Sequence, residues 1–341
     1  MNDRLADLTL TIDDVALDQR SRATSSGFTR VSTIVTLTGE DCRGRGEDVT
    51  YEAADHEALP DTLPLAGEYT FAEYSAALDD LDLPRPSEAR FLDYRRWALE
   101  SAGLDLALRQ QETDLGSVLG RAYDPVEFVV STRVESFDRI QEILAVAPDA
   151  TFKLDPTPEW DDALVTRLAR MGRVRTLDLK GLYEGTDVDT EADPAFYERV
   201  VEAFPDAVIE DPKLTEETRP VFDGHEGRVA WDVPIHGVED IEALPFAPSW
   251  INIKPSRFGT VESLLDTIAY CEREGITMYG GGQFELGVGR EHIQTLASLF
   301  YPGAPNDVAP GGYNSAELDP DLPGSPLEPA PDRRGLSFAA E

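Results

Sequence analysis

The chain has 341 residues, and its 66 Asp and Glu residues against 30 Lys and Arg residues give a formal net charge of −36. A field this negative repels phosphate backbones and anionic lipids, so we expect neither nucleic-acid binding nor a membrane-surface role. No apolar run reaches the roughly 18 residues that a membrane helix needs, and the N-terminus lacks a signal-peptide pattern. We therefore expect a cytoplasmic protein. In about 1 M salt the screening length falls to about 3 Å, and the chain would tolerate the repulsion among its own charges. We therefore predict a halophilic host.

Lysine is scarce in this composition. The basic residues include only four lysines, which are Lys153, Lys180, Lys213 and Lys254. Arginine cannot replace a lysine whose amine must gain and lose a proton, because the guanidinium group stays protonated. A lysine retained against this background is therefore a candidate for chemistry.

Residues 1–95 have the pattern of an α+β domain. The segments LTLTIDDVAL and TRVSTIVTLTG alternate polar and apolar residues, as strands do. The sequence GRGED that follows predicts a turn. Residues 94–111 predict an amphipathic helix, with Trp97, Ala102 and Leu106 near one face.

From about residue 126, short apolar strands alternate with helical segments. The predicted strands are VEFVVS, TFKLD, RTLDLK, AVIED, VAWDV, WINIK and ITMYG. This alternation is typical of parallel βα units, and their number favours a closed α/β barrel over 96–315. A doubly wound sheet is the competing assignment, which the lack of a glycine-rich dinucleotide fingerprint makes weaker. Residues 316–341, rich in Pro, Asp and Glu, predict a strap over the surface or a partly disordered tail.

Charged residues occur where the predicted strands end. In a barrel of this kind the chemistry lies at the carboxyl ends of the strands. Three of the four lysines occupy such ends, in Lys153-Leu154-Asp155, Asp178-Leu179-Lys180 and Asn252-Ile253-Lys254. Strand alternation places the first and third residue of each triplet on one face.

Three acids from successive strands form a candidate metal site. They are Asp178, Glu210 and Asp232. Hard oxygen ligands from adjacent strands suit Mg²⁺, with Mn²⁺ as an alternative, and without a cation they would repel one another. Asp211 is out of phase with Glu210, so we expect it to face outward or to act as a cap.

Five further segments occur in a fixed order along the chain: LESAGLDLALRQ, VIEDP, INIKPSRFG, MYGGGQFELGVGR and PNDVAPGGYN. Together they resemble the enolase superfamily, nearest its muconate-lactonizing and mandelate-racemase-like branches. The resemblance implies an N-terminal α+β capping domain over a (β/α)7β TIM-like barrel. It also implies Mg²⁺ held by the three acids, with Lys254 as the base that removes a proton α to a carboxylate.

The sequence departs from the family pattern on three strands, and on the fifth it has Asp232-Val233 where Asp-Glu is usual. Members of the muconate type have Lys-x-Lys on the second barrel strand, whereas here Asp155 takes the place of the second lysine. The third strand has Lys180 where Asn is usual. We therefore predict that the second amine has moved, so that Lys180 pairs with Asp155 beside the metal and Lys254 is the base on the opposite face. Lys153 then orients the substrate carboxylate or polarises its neighbours.

Further residues are candidates for substrate contacts. They are Glu285, Asn252, Asp307 and Arg257, together with the capping-domain loop 25–28 and Arg45. The alternatives are that Glu285 complements a helix N-terminus, that Asp307 is a turn acid, and that Arg257 pairs with surface acids.

The sequence thus predicts a Mg²⁺-dependent lyase or isomerase acting on a small organic acid through an enediolate, of the cycloisomerase, dehydratase or epimerase type. The lysine pattern favours elimination or cycloisomerisation over racemisation. Two alternatives stay open: an activity like that of methylaspartate ammonia-lyase, and a non-catalytic enolase-like protein that binds a carboxylate. We expect a small-molecule carboxylate as partner and a homo-oligomer as the assembly.

Overall fold

The computed structural model describes residues 3–24, 27–183, 185–186 and 189–339. The N-terminal part combines antiparallel strands with helices. Its strands are β1 (Thr9–Ile12), β2 (Asp14–Ala23), β3 (Thr29–Gly39), β4 (Cys42–Asp48) and β5 (Gly67–Thr70). Its helices are α1 (Asp3–Ala6), α2 (Ala53–Glu57), α3 (Phe71–Asp79), α4 (Phe91–Gln110) and α5 (Leu115–Leu119). Strands β2, β3 and β4 form one antiparallel sheet, and β1 pairs with β5.

The predicted turn at GRGED is wrong, because these residues lie in β4. The turn falls earlier, at Glu40 and Asp41, which both have positive φ angles. The glycines of β4 serve a close approach to α4. A Cβ atom at Gly44 would lie 2.3 Å from the carbonyl oxygen of Ala102, and one at Gly46 would lie 1.9 Å from that of Ala98.

The predicted helix over 94–111 is confirmed as α4, but its burial is not one-sided. Residues all round the helix are buried, Trp97 and Asp105 among them. One side packs on β3 and β4, and another contacts the 3₁₀ turn at Pro255–Arg257 in the barrel. Helix α4 therefore joins the N-terminal sheet to the end of the barrel that carries Lys254.

All seven predicted barrel strands are confirmed. They are β6 (Val130–Thr132), β7 (Phe152–Leu154), β8 (Val174–Asp178), β9 (Val208–Glu210), β10 (Val229–Trp231), β11 (Trp250–Ile253) and β12 (Thr277–Gly280). They pair in sequence order and all in parallel. The intervening helices are α6 (Asp138–Val146), α7 (Asp162–Met171), α8 (Pro194–Ala203), α9 (Val238–Glu242), α10 (Val261–Glu274) and α11 (Val288–Phe300).

The segment around Asn306 closes the ring. Asn306 forms a parallel bridge with Phe128, just before β6, and its carbonyl accepts a hydrogen bond from the backbone N–H of Val129 at 2.8 Å. On the other side, the backbone N–H of Asp307 donates to the carbonyl of Gly280 in β12 at 2.8 Å. The (β/α)7β barrel with an N-terminal α+β domain is thus confirmed, and the doubly wound alternative is wrong.

The C-terminal tail lies against the body of the protein. Leu327 pairs with Val126 in an antiparallel bridge, while Leu336 and Phe338 are buried. The backbone N–H of Leu336 donates to the Asp105 carboxylate on α4 at 2.9 Å. Among the helices described, none has the length and apolar character that crossing a membrane requires.

Candidate active site

Five charged residues at successive strand ends form one buried group, which we call the strand-end cluster. Its members are Lys153 on β7, Asp178 on β8, Glu210 on β9, Asp232 after β10 and Lys254 after β11. All five are at most 6% exposed. The strand register pairs Asp178 with Glu210 directly, so their side chains lie side by side.

Lys153 neutralises the acids on one side of the cluster. Its Nζ lies 2.5 Å from Glu210 Oε1, 3.2 Å from Asp178 Oδ2 and 3.7 Å from Asp307 Oδ2. Burial lowers the pKa of Lys153, but the neighbouring carboxylates outweigh burial and hold it well above the usual 10.5. Burial has the opposite effect on the carboxyl group of Glu210 and raises its pKa, although Lys153 opposes that shift.

Asp232 is the partner of two cations. Lys254 Nζ donates to its Oδ2 at 2.8 Å, and Arg257 Nη1 donates to its Oδ1 at 2.6 Å. Burial raises the pKa of this carboxyl group, but Arg257 and Lys254 outweigh burial and hold it well below the usual range. Arg257 is only 5% exposed, so the interpretation that it pairs with surface acids is wrong.

Lys180 reaches the same group of acids from the loop after β8. Its backbone has a φ of 53°, in the left-handed region, and its N–H donates to Asp178 Oδ1 at 3.1 Å. Its ammonium group donates to Asp178 Oδ2 and lies 3.8 Å from Asp155 Oδ1. The structure thus brings Lys180, Asp155 and Asp178 together; the catalytic role of Lys180 stays a prediction.

The donor set suits a hard divalent cation. Among the described residues, carboxylate oxygens of Asp178, Glu210 and Asp211 come within 4.8 Å of one another. Asp211 is buried rather than outward-facing, and it caps the end of β10 by accepting the N–H groups of Asp232 and Val233, each at 2.9 Å. Asp232, whose oxygens accept from Lys254, Arg257 and Tyr183, stays the third ligand predicted from the sequence, and Asp211 is the third acid that lies close to Asp178 and Glu210. Carboxylate oxygens without sulfur or imidazole fit Mg²⁺ or Mn²⁺.

The remaining predicted residues fall into two groups. Asn252 and Asp307 join the strand-end cluster: Asn252 Nδ2 lies 3.5 Å from Glu210 Oε2, and Asp307 lies beside Lys153. Glu285 instead accepts the backbone N–H of Gln283 at 2.6 Å and forms an ion pair with Arg290 at 3.2 Å. These contacts favour the interpretation that Glu285 complements a helix N-terminus over a contact with Lys254.

The capping-domain loop reaches the barrel through an aromatic contact. The ring of Phe28 meets that of Phe284 edge-on, with centroids 5.4 Å apart. Ser25 and Ser26 lie outside the described residues. Arg45 contributes its backbone N–H to Asp105 at 2.9 Å, on the α4 side of the domain.

Sequence reasoning missed two tyrosines of the site. The phenol of Tyr279 donates to Glu210 Oε2, and that of Tyr183 donates to Asp232 Oδ2 at 3.0 Å. The signal for Tyr279 was its position on the seventh strand, since the register pairs it with Asn252. Tyr183 lies in a loop, where no periodicity marks it.

Comparisons with known proteins agree with this architecture. A dipeptide epimerase from Methylococcus capsulatus, solved with Mg and the dipeptide L-Arg-D-Lys, superposes with a TM-score of 0.72 at 20% identity and covers 96% of this chain and 99% of that one. A muconate cycloisomerase from Pseudomonas fluorescens has a TM-score of 0.64 at 17% identity, covering 88% and 87%. An N-succinylamino acid racemase of Thermus thermophilus is 27% identical over 328 residues, which cover 84% of this chain and 79% of that one.

The fold is that of the enolase superfamily, in its mandelate-racemase and muconate-lactonizing branch, as the sequence motifs predicted. The expectation of an enzyme of this superfamily is confirmed by the same relatives. Within it, the chain belongs to the family described as domain of unknown function DUF8230. The model for the N-terminal domain of that family matches residues 3–118, and the model for its C-terminal domain matches residues 122–315.

Proposed function

We propose that this protein is a Mg²⁺-dependent isomerase that removes the proton α to the carboxylate of a small organic acid and returns a proton to the opposite face. This proposal departs from the preference for elimination or cycloisomerisation that the lysine pattern gave, and the observation that carries it is the placement of Lys180 beside Asp155, just after β7. Strands β7 and β11 are four places apart in an eight-membered ring, so in this proposal the Lys180 amine near Asp155 serves one face of the substrate and Lys254 the other. Epimerisation requires such an acid–base pair, because the proton leaves one face and arrives at the other.

In this proposal Lys254 takes the α-proton onto Nζ, which leaves an enediolate on the substrate. Lys180 donates a proton from its ammonium group to the other face of the same carbon, and Lys153 stays protonated to orient the substrate carboxylate. Asp178, Glu210 and Asp232 would hold Mg²⁺, which when bound supplies positive charge to stabilise the developing carboxylate dianion. Proton exchange with water restores both lysines.

Three of the relatives carry the names racemase, epimerase and cycloisomerase, which supports an isomerase, and one was solved with a dipeptide. An o-succinylbenzoate synthase of Listeria innocua, 34% identical over 92 residues, keeps a lyase as the second candidate. We therefore place N-acyl amino acids and dipeptides first among the small carboxylates to be tested. We also propose a cytoplasmic location, a halophilic host and a homo-oligomeric assembly. The strong negative charge supports the halophilic host.

The test is exchange of the α-proton into deuterated water, followed by mass spectrometry on both enantiomers of each acid. It is run in molar KCl, with Mg²⁺ or with EDTA. For a two-base enzyme, Lys254→Ala abolishes exchange from one enantiomer and Lys180→Ala abolishes exchange from the other. Lys213→Ala is the control, since the remaining lysine has no predicted role.

Other outcomes lead to different functions. Loss of exchange from both enantiomers in Lys254→Ala, with none lost in Lys180→Ala, indicates a one-base cycloisomerase or dehydratase. Release of ammonia from an amino acid indicates an activity like that of methylaspartate ammonia-lyase. Tight binding of an acid without exchange, in the presence of Mg²⁺, indicates a carboxylate-binding protein and contradicts the proposal.

A further inference from the structure

A carboxylate of the N-terminal domain caps a helix of the barrel. Glu47 lies near the end of β4 and is 1% exposed. Its oxygens accept the backbone N–H groups of Leu286 at 2.6 Å, Gly287 at 3.0 Å and Gly289 at 2.9 Å, where α11 begins. The hydroxyl of Ser32, on β3, donates to the same carboxylate at 2.6 Å.

Helix α11 has no cap of its own. Gly287 occupies its N-cap position, and a glycine has no side chain to accept the free N–H groups of the first turn. Glu47 supplies the missing acceptor from another domain. Buried N–H groups left without a partner are costly, so the start of α11 depends on this residue of the capping domain.

The loop held in this way is the one that contacts the predicted base. Residues 281–287 connect β12 to α11, and a Cβ atom at Gly281 would lie only 2.9 Å from Lys254 Cε. Phe284, within the loop, has a φ of 56°, a strained conformation for a residue other than glycine. Such a conformation persists only where its surroundings hold it.

The capping domain holds the loop at a second point as well. The phenol of Tyr51, which lies just beyond β4, donates to Gln283 Oε1 at 2.9 Å. The amide of Gln283 in turn donates to the phenol of Tyr94 on α4 at 3.0 Å. The loop is thus bound by the capping domain on both sides of Phe284.

We propose that Glu47 is a positioning residue that fixes loop 281–287 against Lys254 by capping α11, so that docking of the capping domain orders the loop beside the base. The link to catalysis rests on the proposed role of Lys254. The ordering of the loop does not, and it is measured separately.

The experiment is hydrogen–deuterium exchange of backbone amides, read peptide by peptide on the full chain in molar KCl. In Glu47→Gln, one carboxylate oxygen becomes an amide NH₂ group that faces the backbone N–H donors. The exchange rate of the amides of residues 286–291 should therefore rise about tenfold, which is the effect of losing one hydrogen bond to a charged group. Exchange of α10 should stay unchanged. Asp105→Asn is the matched control: Asp105 is also buried and also accepts backbone N–H groups, from Arg45 and Leu336, but lies away from the loop.

Ser32→Ala serves as the milder variant if Glu47→Gln does not fold, because it removes one donor and leaves the three backbone contacts. We expect a smaller rise in the same peptides. Unchanged exchange at 286–291, or a rise spread equally over the whole chain, overturns the proposal. In an active enzyme, we expect Glu47→Gln to lower kcat more than it raises KM; selective loop exchange with unchanged kcat overturns the link to Lys254 and leaves the proposed function intact.

Discussion

Lys254 Nζ and Asp232 Oδ2 are hydrogen-bonded at 2.8 Å, so the predicted base and a predicted metal ligand share one oxygen. The ammonium group and a divalent cation therefore compete for Asp232. Removing the ammonium charge relieves this competition, since like charges a few ångströms apart repel.

We expect Lys254→Met to bind Mg²⁺ about three- to tenfold more tightly than the unchanged protein, while losing α-proton exchange. Isothermal titration with Mg²⁺ measures the affinity without a substrate. Lys213→Met is the control and should leave the affinity unchanged. Weaker binding in Lys254→Met would show that the amine supports the metal rather than competing with it.

Tyr279→Phe should weaken Mg²⁺ binding by about tenfold, because the phenol that orients Glu210 is lost. The free energy of unfolding should fall by about 1–2 kcal/mol. Tyr301→Phe is the matched control, since the buried Tyr301 hydroxyl has no hydrogen-bond partner among the described residues, and its removal should cost nothing. Equal effects of the two changes on Mg²⁺ affinity would contradict a role for Tyr279.

Gly46→Ala should lower the free energy of unfolding by about 3 kcal/mol, because its Cβ atom would overlap the Ala98 carbonyl on α4. Gly227→Ala is the control, as its Cβ atom meets nothing within 4 Å. Urea denaturation at constant KCl gives both values. A Gly46→Ala variant as stable as the control would mean that β4 and α4 separate easily.

His292 should make the fold sensitive to acid. It borders a small apolar cavity, and burial, with Arg45 and Arg109 adding to it, lowers its pKa from 6.5 to about 3. Between these pH values the unfolded chain binds a proton that the folded chain does not. The free energy of unfolding should therefore fall as the pH decreases from about 6.5, by up to about 1.4 kcal/mol per unit.

The check is urea denaturation near pH 7 and near pH 5 in the unchanged protein and in His292→Leu. We expect the leucine variant to lose part of the pH dependence. An identical slope in His292→Leu would exclude His292 as the cause.

Salt should stabilise the fold strongly. With a net charge of −36, the folded chain repels itself, and raising KCl from about 0.2 M to about 2 M should raise Tm. The rise should shrink near pH 4, where part of the carboxylates is protonated. A Tm independent of KCl at pH 7 would contradict the halophilic assignment.

The barrel and the strand-end cluster could be predicted because both follow from local patterns. Apolar strands alternate with helices at a regular spacing, and a scarce residue type, lysine, recurs where strands end. β4 could not be predicted, because Gly44 and Gly46 mark a turn by composition and are explained only by the helix that packs on them. Glu47 was missed for the same reason: its partners are some 240 positions away in the chain.

The amines at the mouth have a consequence for how such proteins are compared. Lys180 belongs to a different column of an alignment from the lysine that Asp155 replaces, yet its ammonium group lies 3.8 Å from that aspartate. A search by the pattern Lys-x-Lys would discard this chain, whereas a search by the position of the nitrogen atom in space would retain it. Relatives in which a lysine on the second barrel strand is replaced by a lysine after the third are best grouped by the position of the ammonium group in the structure.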